Sequence, residues 1–182
     1  MWIIFLIAAG ICLLDQLTKI IVEYTISGHT HAKLIKDFLY ITKTYNTGAG
    51  WSIMDDNTLV LALISLLATI ALCYITYIML KEFKKNVLPG VAMSLVLGGC
   101  VGNMIDRFLT VFNARDGVID FVEMYIFDYS WPVYNVADIA LVAGIIVFAI
   151  WAIFFEGKGK KKDTIIKEEN SDNASEGGED NA

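Results

Sequence analysis

Four long apolar runs constrain this chain more than anything else in it. The cleanest, Thr58 to Leu80, holds 23 residues without a charge, enough as a helix to cross about 30 Å of hydrocarbon. Three others, at about 2–26, 91–109 and 135–155, are of comparable length. Overall the chain is 56% apolar, where about 45–50% is usual in a soluble domain even with glycine counted. Because the apolar residues lie in long runs and not in short periodic pieces, the expected class is an all-α membrane protein. It should have four transmembrane helices and a small extracytoplasmic β-rich loop region. The membrane domain spans 1–156, and 157–182 reads as a disordered cytoplasmic tail, polar and without an apolar pattern. The first run lacks a basic leader and runs into a charged face, so it reads as a retained helix and not a removable signal peptide.

Between the first two runs, Phe38 to Tyr45 is rich in aromatic and β-branched residues, and Asn46-Thr47-Gly48-Ala49-Gly50 reads as a turn. Two or three short strands are expected there, with Tyr45 and Trp51 suited to a membrane interface. Segment 110–133 reads as a loop containing the turn signal Arg115-Asp116-Gly117. Lysines set the orientation. The 81–86 turn carries three and the tail opens with four in five residues, whereas 110–133 has Arg115 against four acids. The positive-inside rule then puts both termini in the cytoplasm and the two longer loops outside. Cys12, Cys73 and Cys100 fall in apolar runs without metal-ligand spacing, and read as free thiols behaving as small hydrophobes.

Against this background the polar residues in or beside the spans need a reason, since a charge at mid-bilayer costs about 2.5–3.5 kcal/mol on insertion scales. Asp15 and Lys19 are four apart, share a helix face and can pair. Gly99, Asn103 and Asp106 line one face of the third span, and Gly98 and Gly102 form an adjoining stripe of the kind that admits a close neighbouring helix. Asp120 lies in the loop and Asp138 at the entrance of the fourth span. If the loop folds back over the helix end, the two carboxylates share a site, one pKa rises, and the pair holds a single proton. One carboxylate can then activate water while the other donates to a carbonyl oxygen.

A blander reading stands beside this one. Asn135 and Asp138 have the spacing of a capping box, and Asp120 could cap a short helix from 121 onward. No metal-ligand cluster occurs, and His29 and His31 read as surface residues. Spacing alone leaves an aspartyl protease level with a small proton-coupled transporter, with an assembly subunit as a third class.

Five motifs in order break the tie: Asp15-Gln16-x-x-Lys19; Asn46-Thr47-Gly48-Ala49; Gly98-Gly99-x-x-Gly102-Asn103-x-x-Asp106-Arg107; Val118-Ile119-Asp120-Phe121; and Asn135-Val136-Ala137-Asp138. Across its first 155 residues the chain resembles lipoprotein signal peptidase, the type II signal peptidase of bacteria. The resemblance implies an aspartyl endopeptidase of the cytoplasmic membrane that uses no cofactor or metal. It implies cleavage of prolipoproteins just before a diacylglyceryl-modified cysteine, with Asp120 and Asp138 as the catalytic pair near the outer leaflet. Asn46, Gly48, Asn103, Arg107 and Asn135 carry over as substrate-binding positions, and Asp15, Lys19 and Asp106 as supporting ones, with Asp106 expected to pair with or position Arg107. The expected partners are the lipidated substrates and membrane lipid, with no nucleic acid and a monomeric enzyme. Trp51 and Tyr134 depart from the phenylalanines common in the family.

Overall fold

The computed structural model describes residues 2–27, 31–48, 57–79, 81, 83 and 86–155. Trp51, His29, most of the lysine turn and the tail lie outside the described residues. The four apolar runs are helices: α1 (Trp2–Thr25), α2 (Thr58–Ile78), α3 (Val87–Val111) and α4 (Val136–Phe154). All four are long and apolar enough to cross a membrane. Hydroxyls inside them are satisfied locally. Ser65, Thr69 and Thr76 on α2 each donate to the carbonyl four residues earlier, at 2.7–2.8 Å, as lipid requires of any buried polar group.

Helix α3 is the central one and touches the other three. It begins four residues before the expected Val91, because Asn86 caps it by accepting the Leu88 N–H at 2.9 Å. Pro89 then falls in the first turn, where its missing N–H costs nothing. The glycine stripe does what its spacing implies. A Cβ on Gly98 would sit 2.7 Å from the Ala8 carbonyl of α1, and one on Gly99 would strike the Ala137 carbonyl of α4. The backbones of α1, α3 and α4 therefore approach more closely than any larger residue permits. The outer faces of α1, α2 and α4 expose isoleucine, leucine and valine throughout, the surface expected against lipid tails.

At one end of the bundle lies a four-stranded antiparallel sheet in sequence order, β1 (Ala32–Ile35), β2 (Leu39–Asn46), β3 (Val118–Ile126) and β4 (Tyr129–Ser130). The first two are the strands expected in the first loop. The other two correct the reading of 110–133 as loop: Asp120 lies within β3, paired opposite Thr44 on β2, and caps no helix. Ile119 and Phe121, on the opposite face of β3 from Asp120, pack on Val22 at the end of α1. Beyond β4 the chain returns to β3. Tyr134 and Val122 exchange backbone hydrogen bonds at 2.8 and 3.1 Å, so α4 starts directly beside Asp120.

Candidate active site

The start of α4 sets the site's geometry. Its first N–H groups have no intrahelical partner, and three different acceptors take them. Asn135 is the N-cap: its Oδ1 accepts the Asp138 N–H, and Asp138 Oδ2 accepts the Asn135 N–H, both at 3.1 Å, closing a capping box. Asp15, reaching across from α1, accepts the Ala137 N–H at 2.9 Å. The Asn135 carbonyl accepts from Ile139 at 3.2 Å. Asp138 is thereby fixed in the first turn, where the helix dipole favours an anion.

Three asparagine amides hold the two aspartates, Asn135 and Asn103 between them and Asn46 on Asp120 alone, and each has only one orientation that satisfies its neighbours. Asn135 Oδ1 is committed to the Asp138 N–H, so its Nδ2 donates to Asp120 Oδ1 at 2.6 Å and to Asn103 Oδ1 at 3.1 Å. Asn103 Oδ1 also accepts from Lys19, which turns its Nδ2 to Asp138 Oδ1 at 2.8 Å. Asn46 Oδ1 accepts the Gly48 N–H at 3.1 Å, which turns its Nδ2 to Asp120 Oδ2 at 3.0 Å. Asp120 is only 4% exposed. Burial pushes its carboxyl from 3.8 up to about 7, with the nearby Asp138 charge adding to the rise and the Asn46 and Asn135 hydrogen bonds opposing it.

Beneath the asparagines lies a buried charge cluster. The Lys19 ammonium hydrogen-bonds Asp15 Oδ2 at 2.7 Å and Asn103 Oδ1 at 2.9 Å. It also forms an ion pair at 2.6 Å with Asp106 Oδ2, outside hydrogen-bond angles. Arg115, from the turn after α3, donates to Asp106 Oδ1, and Gln16 donates to both Asp15 and Asp106. Two acids and two bases balance, as burial of charge demands. Among the described residues, no three His, Cys, Asp or Glu side chains gather as a metal-ligating set.

A family model for signal peptidase (SPase) II matches residues 7–154. The chain belongs to the signal peptidase II family. Two solved structures of bacterial membrane enzymes, determined by the in meso method at 2.3 and 1.9 Å resolution, share its architecture at 34% identity. The first superposes with a TM-score of 0.73 over 84% of this chain and 88% of its own. The second gives 0.71 over 86% and 95%. Membership makes the protein an aspartic endopeptidase of the membrane, acting on prolipoprotein signal peptides. It also decides against the transporter and the assembly subunit, which the residues alone leave open.

Of the positions the sequence singled out, Asn46, Gly48, Asn103, Asp120, Asn135 and Asp138 meet in one hydrogen-bonded group, with Asp15, Lys19 and Asp106 packed against it. The expected link from Asp106 to Arg107 is not made. Arg107 donates instead to Ser65 on α2 at 3.1 Å, because adjacent helix residues point in different directions and cannot face one partner. Arg115 escaped the sequence reading, since a turn signal says nothing of where its arginine reaches. Glu23, near the end of α1, accepts the Tyr45 hydroxyl at 2.5 Å, and His31 lies 2.7 Å from Glu123, on the sheet face away from Asp120.

Proposed function

We propose that Asp120 and Asp138 are the catalytic pair of this peptidase, and that they cleave the bond immediately before a diacylglyceryl-modified cysteine. The observation that carries the reading is the Asn135 side chain, which bonds Asp120 through its amide nitrogen and the backbone of Asp138 through its oxygen. One side chain thus holds both acids in place while serving as a helix cap, so capping and catalysis are not alternatives at this position. The proton of the pair rests on buried Asp120. Asp138, with two N–H donors and a helix terminus behind it, serves as the ionised base. It takes a proton from water as the water attacks the scissile carbonyl. Asp120 gives its proton to the carbonyl oxygen, and the tetrahedral species collapses with protonation of the leaving amine.

Asn103, Asn135 and Asn46 spend their amides on the carboxylates and act on substrate through the geometry they impose. Arg107 differs, for its Nε is buried without a partner among the described residues, leaving a donor for a substrate carbonyl. The sheet end of the bundle faces outward and both termini face the cytoplasm, as the lysine distribution favours. The enzyme works as a monomer in this proposal. The test is incubation of detergent-purified protein with a prolipoprotein bearing diacylglyceryl on its cysteine, followed by mass spectrometry of the products. The expected product begins at the modified cysteine and is not formed from the unlipidated precursor. Cleavage elsewhere, or equal cleavage of both precursors, refutes the reading.

A further inference from the structure

The turn after α3 sends one side chain back toward the middle of that helix. Helix α3 ends as the Asn113 N–H donates to the Thr110 carbonyl at 3.0 Å and the Ala114 N–H to the Leu109 carbonyl at 2.8 Å, the paired closure of a Schellman motif. That closure needs a left-handed residue. Asn113 supplies it at φ 56°, a conformation asparagine adopts more readily than most. The chain reverses there, and Arg115 donates to Asp106 Oδ1, nine residues earlier on α3. The Arg115 side chain is only 12% exposed. Glu23 and Asp116 line the same notch as Arg115, yet its ion pair is with the fully buried Asp106.

We propose that Arg115 is a positioning residue of the dyad. By pairing with Asp106 it leaves the Lys19 ammonium free to orient Asn103, and through Asn103 the base Asp138. This role rests on the function proposed above. Lys19 faces three acceptors: Asp15 Oδ2 at 2.7 Å, Asn103 Oδ1 at 2.9 Å and Asp106 Oδ2 at 2.6 Å. Only the first two are hydrogen bonds, and Asp106 Oδ2 has no such partner among the described residues. Asn103 is the weakest competitor for the ammonium, being neutral where each carboxylate brings a full charge. It keeps its share because Asp106 is served from the other side, where Arg115 and Gln16 both donate to Oδ1. Without Arg115, Lys19 is the only cation left on Asp106 among the described residues. The ammonium then turns an N–H onto Asp106 Oδ2 and away from Asn103. Because Asn103 Nδ2 donates to Asp138 Oδ1 at 2.8 Å, the change reaches that carboxylate.

The rival role is that of a fastener for the turn, and it acts at a different place. Two residues beyond Arg115, a Cβ on Gly117 would sit 3.0 Å from the Asn46 carbonyl. The turn therefore packs on the residue whose amide holds Asp120. Loosening the turn disturbs Asp120 whatever happens to the charge balance around Lys19. A fastener also cannot be replaced by deleting the acid it is fastened to, whereas a counter-charge can.

Full-length, detergent-purified variants test this on prolipoprotein carrying diacylglyceryl on its cysteine, with kcat and KM determined separately and thermal melting alongside. Arg115→Met should lower kcat about tenfold or more with KM unchanged, as expected when a charged hydrogen bond is lost from the reacting groups and not from substrate binding. Arg115 meets Asp106 through a single nitrogen, Nη1, so Arg115→Lys keeps the cation and should stay within about threefold of the parent. Combining Asp106→Asn with Arg115→Met removes the acid together with its cation and returns Lys19 to Asn103, so kcat should rise at least about threefold over Arg115→Met alone. A parental kcat in Arg115→Met overturns the proposal, as does an effect confined to KM. Arg115→Lys as slow as Arg115→Met, or a double variant no faster than the single, also overturns it. If Arg115→Met is too unstable to assay, the double variant decides alone. It should fold and turn over within about tenfold of the parent, and an unfolded or inactive double variant overturns the proposal. A parent that leaves the lipidated precursor uncut before its cysteine defeats the proposed function itself. Normal parental cleavage with any of the contrary results defeats the role of Arg115 alone.

Discussion

Replacing Lys19 by methionine removes the cation from between two acids that are, like Lys19 itself, fully buried. Deleting one member of a buried ion pair costs about 3–5 kcal/mol, because the partner is left charged and unpaired. Two contacts soften the loss here: Arg115 remains on Asp106, and the Ala137 N–H remains on Asp15. The expected destabilisation therefore lies near the lower bound, about 3 kcal/mol, or roughly 6–12 °C in melting temperature for a chain of this size. Turnover should fall as well. Asn103 Oδ1 loses the ammonium that orients it, and the hydrogen bond it directs to Asp138 is of the charged kind, worth about 1.5–3 kcal/mol, so a loss of about tenfold or more is expected. Asp15→Asn in the same chain removes the stranded charge while keeping an acceptor for Ala137. The double variant should recover at least half of the lost stability. Thermal unfolding and turnover of detergent-purified protein measure both effects. A stability for Lys19→Met within about 0.5 kcal/mol of the parent, the scatter of an ordinary surface change, refutes the reasoning. So does a second substitution that deepens the loss instead of offsetting it.

Two further outcomes follow from the same contacts. Gly99→Ala places a Cβ against the Ala137 carbonyl, so α3 and α4 must separate. Thermal melting should show a loss of about 1–3 kcal/mol, typical of overpacking, and turnover should drop through displacement of Asp138. Asp120 titrates at about 7 in the folded protein against 3.8 for the ordinary group. The folded state binds the extra proton between those values, so stability falls as pH rises from about 4 to about 7 and is level above. With Asp120 as the acid, kcat/KM should fall about tenfold per pH unit above pH 7, and a profile flat to pH 9 contradicts that assignment.

The spans were legible because lipid imposes a length and an apolarity that no tertiary contact overrides, and their ends erred only where a cap decides them. The start of α3 is such a case: the sequence reading began the span at Val91, but Asn86 caps the helix so that it starts at Val87. Strand β3 was not legible. Val118 to Ile126 is buried on both faces over its first half, so it lacks the alternation that marks a half-buried strand. Its partner β2 lies more than seventy residues earlier. The helix-borne pair of Asp15 and Lys19 could be read from four-residue spacing, whereas their tie to Asp106, Asn103 and Arg115 depends on how closely the glycines of α3 let α1 approach. Motif order identified the family and named the dyad. It gave no sign that Asn135 joins the two carboxylates, because that contact needs Tyr134 hydrogen-bonded to β3.

The dyad itself is tested most directly by turnover of Asp120→Asn and Asp138→Asn on diacylglyceryl-modified prolipoprotein, with thermal melting to confirm that each variant is folded. An amide neither accepts the proton of water nor supplies one as a carboxylic acid does, so each change should lower kcat by roughly 10²–10⁴ or abolish it. At position 138 a purely capping role predicts almost no loss, since asparagine caps about as well as aspartate. A folded variant of either kind that turns over at near the parental rate would contradict the account.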